Sequence, residues 1–318
     1  MPFSKNEVFS VNIRTFTNQD GQKLVSLWNL AHPQYPLSQD HMAKKVFLDT
    51  NFQPENLLIV EENQEMIAFA YVPHHLSGDQ TTGYISYFSV NPEKDVASVG
   101  AFLLEECEKH HRNGGRKTIS TAYAPLYHLQ GFSESYDEAY IRLFQDFGYC
   151  CQEKSYSRKI DLESYCLPDD FEVRKQQLAE EGIYIGALSY DRIAQFVSPH
   201  NAFSSSNWSW EYRVRLSSNP DPSRARVAIC GDQIIGGCIF GDPNSDEGRF
   251  GPFGMSPEYR GKGIGSVLFA DCLGEMKARG IPFAWAQWTP LTGPAAKLYD
   301  RAGFAMQDCF WTFGKELR

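Results

Sequence analysis

The chain has 318 residues, of which 42% are hydrophobic and 22% are charged, and its formal net charge is −9. This length exceeds the size at which one hydrophobic core usually stops growing, so we expect two domains. The acidic balance argues against nucleic acid as a partner, because binding to a phosphate backbone requires clustered Lys and Arg.

Nothing in the sequence indicates a membrane, export or a metal. No apolar run approaches the roughly 20 residues that span a bilayer, and the segment MPFSKNEVFSVNIRTF has no secretory signal. We therefore expect a cytoplasmic protein without a membrane partner. The eight cysteines show no C-x-x-C spacing, and the histidines, paired as neighbours at 74–75 and 110–111, lack the i, i+4 spacing of helical ligands, so we expect no metal.

The first half of the chain alternates between predicted strands and predicted helices. Runs rich in β-branched and aromatic residues predict the strands FSVNIRTF, NLLIVEE, MIAFAYV, GYISYFSV, KTISTAYA and SYSRKIDL. Apolar residues at three- and four-residue spacing predict the helices GQKLVSLWNLA, VGAFLLEECEKHH and EAYIRLFQDFG. The polar, proline-containing stretch DLESYCLPDD predicts a boundary between domains 1–165 and 166–318.

The second half repeats this alternation. Its predicted strands are IYIGALS, RARVAICG, IIGGCIFG, RFGPFGM, FAWAQW and CFWTFG. Its predicted helices are DRIAQFV, WEYRVRL, IGSVLFADCLGEMKARG and AAKLYDRAG. The predicted fold class is therefore mixed α/β, with a central sheet in each half.

The two halves are also related as an internal repeat. FSVNPEKDVASVGAFLL, which begins at Phe88, aligns without a gap with FGMSPEYRGKGIGSVLF, which begins at Phe253. LFQDFGY, from Leu143, matches LYDRAGF, from Leu298. Two matches in the same order predict two copies of one fold.

The segment after the strand RFGPFGM predicts a site for an anion. Glycines at 261, 263 and 265 precede a helix, and the unpaired amides of a helix N-terminus attract negative charge. The run fails the P-loop pattern, because Ser256 and Gly263 stand where that pattern requires Gly and Ser or Thr. It also reads G-x-G-x-G and not the G-x-G-x-x-G of a dinucleotide-binding turn.

The run RGKGIG at residues 260–265 resembles the R/Q-x-x-G-x-G/A motif of the GNAT superfamily of N-acetyltransferases, and LYDRAGF resembles its later L-Y-x-x-x-G-F motif. The resemblance implies two tandem GNAT domains, each with a mostly antiparallel sheet flanked by helices, and acetyl-CoA as the cosubstrate. It implies that the pyrophosphate is held by Arg260, Gly261, Lys262, Gly263, Ile264, Gly265 and Ser266. It implies that the pantetheine arm pairs with the backbone of Phe253, Gly254 and Met255, and that Tyr299 protonates the departing thiolate.

The resemblance leaves the general base and the acceptor open. The strand RFGPFGM contains no carboxylate, and the acidic candidates nearby are Glu211, Asp242, Asp246 and Glu247. Thr292 stands where the family often has Asn, so contacts to the pantetheine or the acceptor are expected to differ. Trp208, Trp210 and Tyr212 are candidates either for the acceptor pocket or for the core, because residues two apart do not share one helix face.

The first copy is predicted to be degenerate. Asp95 stands at the position of Arg260, residues 96–98 read VAS at the positions of Gly261 to Gly263, and Phe144 replaces Tyr299. An aspartate would repel a pyrophosphate, and side chains in place of glycine would block its close approach. The layout is similar to that of tandem GNAT enzymes such as mycothiol synthase, in which one half is active.

The expected function is transfer of an acetyl group from acetyl-CoA to a primary amine of a small molecule, by direct attack in a ternary complex. The alternative is a sensor or regulatory module that binds acyl-CoA without catalysis. Transfer from an aminoacyl-tRNA is disfavoured by the acidic charge. Oligomeric state is not predicted.

Overall fold

A computed structural model describes residues 11–123, 128–218, 220–242 and 246–317, with the side chains of residues 206, 207, 218, 242 and 246 excepted. The described chain divides into two compact units. Unit 1 comprises the described residues up to Lys154 together with those from Cys309 onward, and unit 2 runs from Ser155 to Asp308. Among the described residues, no helix is both long and apolar enough to cross a bilayer.

Among its described residues, unit 1 contains seven complete strands, parts of two further strands and four α-helices. In chain order they are β1 (Val11–Thr15), α1 (Gly21–Ala31), α2 (Gln39–Met42), β2 (Leu57–Glu62), β3 (Glu65–Tyr71), β4 (Thr82–Tyr84), β5 (Tyr87–Val90), α3 (Val96–Asn113), β6 (Thr118–Ser120), β7 (Phe132–Ser133), α4 (Glu138–Asp146), residues 150–154 of β8 (Cys150–Asp161) and residues 309–316 of β14 (Ala305–Glu316). A π-helical turn, Ala43–Phe47, continues α2.

The strands of unit 1 form two groups. An antiparallel sheet has the order β1-β2-β3-β5. In the second group β4 lies parallel to β6, and residues 310–316 of β14 pair antiparallel with β7 and β6. The predicted single strand GYISYFSV is therefore two strands, because the backbone changes partner after Tyr84: Ile85 N donates to Ser120 O, and Ser86 N donates to Tyr71 O.

Unit 2 begins with residues 155–161 of β8 and ends within β14. Between them lie α5 (Phe171–Glu180), β9 (Ile183–Ala187), α6 (Ile193–Phe196), α7 (Ser206–Ser218), β10 (Ala225–Cys230), β11 (Gln233–Asp242), β12 (Asp246–Met255), α8 (Ile264–Ala278), β13 (Phe283–Thr289) and α9 (Pro294–Ala302). Short 3-10 turns occupy Tyr190–Arg192, Pro222–Arg224 and Pro257–Tyr259.

The sheet of unit 2 is mostly antiparallel. β9, β10, β11 and β12 form an antiparallel meander, β13 lies parallel to β12, and β8 pairs antiparallel with β13. Alternate residues of β11 enter different cores: Phe240 packs in the cluster with α8 and α9, whereas Ile239 packs with α6 and α7. Because successive side chains of a strand point to opposite faces, helices cover both faces of this sheet. The predicted mixed α/β class is confirmed.

Helix α5 was not predicted from the sequence. It lies against α8, with Phe171 and Leu178 buried beside Ile264 and Val267. The side chain of Lys175 also donates to Asp271 on α8 over 2.6 Å. These contacts fix α5 next to the start of α8, where the predicted anion site lies.

Candidate functional site

The segment between β12 and α8 ends in an open helix N-terminus. Gly261 and Gly263 have φ angles of +77° and +82°, which only glycine adopts without strain, and Gly263 caps α8. The carbonyl of Gly263 accepts from the amide of Ser266 over 3.0 Å. No described residue accepts a hydrogen bond from the amides of residues 261–265. These donors and the positive end of the helix form a favourable site for an anion.

The side chains of this segment separate into core and surface. Ile264 is fully buried, and Met255 Cγ lies 3.2 Å from the position of a Cβ on Gly265, so the loop is packed tightly onto the end of β12. Arg260 is exposed and its Nε donates to the carbonyl of Met255 over 3.0 Å. Exposed Lys262 has its Nζ 5.1 Å from the ring centroid of Tyr259.

A third cation, Arg174 on α5, lies at the same loop. Its Nη2 is 2.9 Å from the position that a Cβ on Gly263 would occupy. The Arg174 side chain is exposed, and no carboxylate lies within 4.0 Å of its guanidinium nitrogens among the described residues. Arg174 was not predicted from the sequence, because residues 171–180 show too little apolar periodicity to indicate a helix. A positive charge over a helix N-terminus adds to the attraction for an anion.

Beyond the loop, β12 and β13 separate from each other. Their one register pair among the described residues joins Arg249 to Trp285. We call this pair the vertex of the two strands. The Arg249 guanidinium lies 4.7 Å from the centroid of the Trp285 ring there. Past the vertex, β12 keeps its pairing with β11 as far as Met255, so only the edge that faces β13 is released from the sheet. An extended chain can pair with the backbone on such an edge.

The side of β12 toward α7 is covered closely. A Cβ on Gly254 would lie 2.1 Å from the carbonyl oxygen of Phe203 and 2.8 Å from the ring of Trp208, so only glycine fits there. Tyr212 is fully buried in the core of α6 and α7, and its hydroxyl donates to Pro252 O over 3.4 Å. Tyr212 is therefore a core residue, whereas Trp208 and Trp210 are half-buried.

Tyr299 lies on α9 within a cluster of aromatic rings. The residue is 7% exposed, and its ring centroid is 5.0 Å from that of Phe304 and 5.3 Å from that of Phe269. Phe269 in turn lies 5.5 Å from Phe253 of β12. α9 begins at Pro294 and ends at Ala302, and the next residue, Gly303, caps it in the left-handed conformation of a helix C-terminus. The fold thus brings Tyr299 and the predicted pantetheine strand onto one aromatic core.

Comparison with known proteins identifies the family. The sequence model of the acetyltransferase (GNAT) family matches residues 24–132 and 180–304. The chain belongs to the GNAT family. Both halves match, which confirms the predicted tandem arrangement.

The individual relatives have low sequence identity to this chain. An acetyltransferase of Sodalis glossinidius is 27% identical over 107 residues, which are 34% of this chain and 75% of that protein. The tandem GNAT protein of the clavulanic acid pathway has a TM-score of 0.68 at 13% identity, over 97% of this chain and 99% of its own. The GCN5-related glucosamine N-acetyltransferase region of a fungal multi-domain β-N-acetylglucosaminidase has a TM-score of 0.82 at 16% identity. The alignment with the fungal enzyme covers 97% of this chain and 38% of that one.

The acidic candidates for the general base form ion pairs with arginines where their side chains are described. Glu211 forms an ion pair with Arg215 one turn later on α7, and Glu247 lies 3.2 Å from Arg224. The side chains of Asp242 and Asp246 lie outside the described residues. The general base stays open among these candidates.

The corresponding helix of unit 1, α3, is capped by its own chain. Asp95 accepts from the amides of Ala97 over 3.1 Å and Ser98 over 3.2 Å. The Ser98 hydroxyl also donates to this carboxylate over 2.6 Å, and these hydrogen bonds hold the pKa of Asp95 below its ordinary value. The amides that correspond to those of Lys262 and Gly263 are therefore already satisfied at α3.

The strand of unit 1 that corresponds to β12 is likewise occupied. The amide of Val90, the counterpart of Met255, donates to the hydroxyl of Tyr140 over 3.0 Å. Leu143 Cδ2 lies 2.7 Å from the position of a Cβ on Gly100, the counterpart of Gly265. Phe144, the counterpart of Tyr299, is fully buried. Side chains of α4 thus fill the surroundings of this strand and helix.

Proposed function

We propose that this GNAT protein transfers the acetyl group of acetyl-CoA to a primary amine of a small molecule, and that unit 2 carries the reaction. The proposal rests on one contrast between the copies. The N-terminal amides of α8 are open at the end of a strand that separates from its neighbour, whereas those of α3 are capped by Asp95. An anionic cosubstrate needs such open donors, and of the two corresponding helix N-termini among the described residues, those of α3 and α8, α8 offers them.

Acetyl-CoA would bind along β12 and across the loop. The open amides of residues 261–265, with Arg260, Lys262, Ser266 and Arg174, would hold the pyrophosphate. The backbone of residues 253–255 would pair with the pantetheine arm on the edge of β12 that faces β13. This arrangement would direct the thioester toward the vertex between the two strands.

The chemistry would be a direct attack in a ternary complex. The neutral amine adds to the thioester carbonyl carbon, and a backbone amide near Met255 stabilises the oxyanion. The C–S bond then breaks, sulfur keeps the bonding pair, and Tyr299 donates its hydroxyl proton to the thiolate. The amine nitrogen loses a proton to solvent, and solvent returns one to Tyr299. The products are the amide and free CoA.

Calorimetric titration with acetyl-CoA, paired with a thiol-release assay over an amine panel, tests this proposal. The panel includes an amino sugar, because a structural relative is named for glucosamine. We compare the wild type with Gly263→Trp, and use Gly280→Trp as the matched control. Gly263 and Gly280 have similar positive φ angles, +82° and +74°, but Gly280 follows the other end of α8 and has open space around it.

One binding site per chain, lost in Gly263→Trp and kept in Gly280→Trp, with thiol release for at least one amine, is the expected result. Survival of binding in a folded Gly263→Trp protein would contradict the loop assignment. Binding without thiol release on any amine would favour the alternative function, a sensor of acyl-CoA.

A further inference from the structure

Arg158 is a buried cation within unit 2. It lies on β8, opposite Ala286 of β13, and its side chain is 3% exposed. Removing a guanidinium group from water is costly, so a buried arginine requires compensating partners. The contacts of Arg158 show what those partners are.

The guanidinium connects three segments around α9. Its Nη1 donates to Asp300 Oδ1 over 2.5 Å, and its Nη2 donates to Pro290 O over 3.4 Å. Its central carbon lies 5.8 Å from the centroid of the Tyr299 ring. Its Nε is buried and has no acceptor among the described residues. The charge is therefore held beside Tyr299 with one donor unsatisfied.

The ion pair with Asp300 alone does not account for the burial of Arg158. Asp300 is 59% exposed, so solvent screens its charge, whereas Arg158 is almost completely buried. A buried charge and an unsatisfied donor both oppose folding. Besides Asp300 and the Pro290 carbonyl, the guanidinium lies over the ring of Tyr299.

The rings that surround Tyr299 belong to Phe250 of β12, Phe269 of α8 and Phe304. The other titratable side chains of this core cluster are Tyr165, Cys238 and Cys272. Burial raises the pKa of Tyr165 to about 12 and holds the pKa of Cys272 well above its ordinary value. Arg158 from β8 lies over the ring of Tyr299, and Asp300, the next residue on α9, forms an ion pair with Arg158.

We propose that Arg158 is a positioning residue for Tyr299, which fixes α9 and stabilises the negative charge left on Tyr299 after its proton has passed to the departing thiolate. This inference rests on the role of Tyr299 in the proposed function. In that step the Tyr299 O–H bond breaks, an S–H bond forms, and the phenolate persists until solvent returns a proton. A fixed positive charge near the phenolate lowers the free energy of this state.

The test measures the ionisation of Tyr299 directly. Tyrosine is labelled with ¹³C at the ring carbon that bears the hydroxyl, and its NMR signal is followed against pH. The Tyr299→Phe protein identifies the signal of Tyr299 among the 16 tyrosines. The variants are Arg158→Met, Arg158→Lys and Asp300→Asn.

Arg158→Met and Asp300→Asn break the same ion pair but change the charge near Tyr299 in opposite directions. Without the cation, Tyr299 is expected to ionise about one pH unit higher, because a charge near 6 Å is worth that much in a partly shielded site. Without the carboxylate, it is expected to ionise a few tenths of a unit lower. Arg158→Lys keeps the charge, so the transition is expected within about 0.3 unit of the wild type.

A purely structural ion pair would move both transitions in the same direction or move neither, and either result would overturn the inference. Should Arg158→Met fail to fold, Asp300→Asn decides, since a transition that does not fall rules the electrostatic role out. The turnover number measured by thiol release is expected to fall about tenfold in Arg158→Met, with the KM for acetyl-CoA nearly unchanged. Opposite NMR shifts in a protein that acetylates no amine would reject the proposed function and keep the effect of Arg158 on Tyr299.

Discussion

The contribution of Arg174 to binding of acetyl-CoA can be separated from that of its neighbour on α5. Arg174 reaches the loop at Gly263, whereas Lys175 forms an ion pair with Asp271. Opposite charges 4 Å apart are worth about 1 kcal/mol in water and about 4 kcal/mol near a protein surface. Because Arg174 is exposed, we take the lower part of that range, about 1.4 kcal/mol, which is a tenfold change in Kd.

We therefore expect Arg174→Ala to weaken acetyl-CoA binding about tenfold at low ionic strength, with the difference shrinking as salt is added. Lys175→Ala is the matched control. It is expected to cost about 1 kcal/mol of stability, since Asp271 keeps its second partner, Arg226, at 2.6 Å, and to leave binding nearly unchanged. Calorimetry at two salt concentrations and urea unfolding measure the two effects. Equal affinities for Arg174→Ala and the wild type at low salt would refute the reasoning, as would equal losses of affinity in the two variants.

Three further changes have defined outcomes. Tyr299→Phe keeps the buried ring and removes only the hydroxyl, so we expect kcat to fall by about 100-fold while the Kd for acetyl-CoA, by calorimetry, changes by less than about threefold; an unchanged kcat would exclude Tyr299 as the acid. Asp95→Ala removes the cap of α3 and should lower the midpoint of urea unfolding without adding a second acetyl-CoA site; a stoichiometry of two would show that the cap alone had blocked unit 1. Burial lowers the pKa of His111 from 6.5 to about 4, so the His111 imidazole binds a proton less tightly in the folded state than in the unfolded chain. The contribution of neutral His111 to the free energy of unfolding is therefore complete above pH 6.5 and is lost as the pH falls toward 4. His111→Gln should flatten the dependence of unfolding free energy on pH in this window, and an unaltered slope would contradict the assignment.

The features that sequence reasoning found depend on local patterns. The glycines before α8 signal their backbone conformation directly, and Gly261 and Gly263 have the positive φ angles that such a loop requires. The internal repeat predicted tandem domains, and the family match of both halves confirms them. Asp95 was predicted to repel a phosphate, and the structure adds that its carboxylate caps the helix.

The features that it missed depend on weak periodicity or on distant pairing. Helix α5 buries only Phe171 and Leu178, seven positions apart, so it gives little helical signal, and Arg174 was missed with it. Arg158 lies in a segment correctly predicted as strand, but its burial beside Tyr299 follows from pairing between β8 and β13, 128 residues apart at Arg158 and Ala286. Strand propensity does not specify the partner of a strand.

The last strand of the chain has a consequence for the order of folding. Unit 2 is one continuous stretch, from Ser155 to Asp308, whereas unit 1 needs residues 309–316 to pair with β6 and β7. Nascent domains generally fold as units as they emerge from the ribosome, starting from the N-terminus. Here that order is reversed, because the first unit in the sequence cannot complete its sheet until the final strand has been synthesised. During translation the catalytic candidate, unit 2, has all its residues available before the degenerate copy does, and closing unit 1 requires a chain loop of almost 200 residues between β6 and β14.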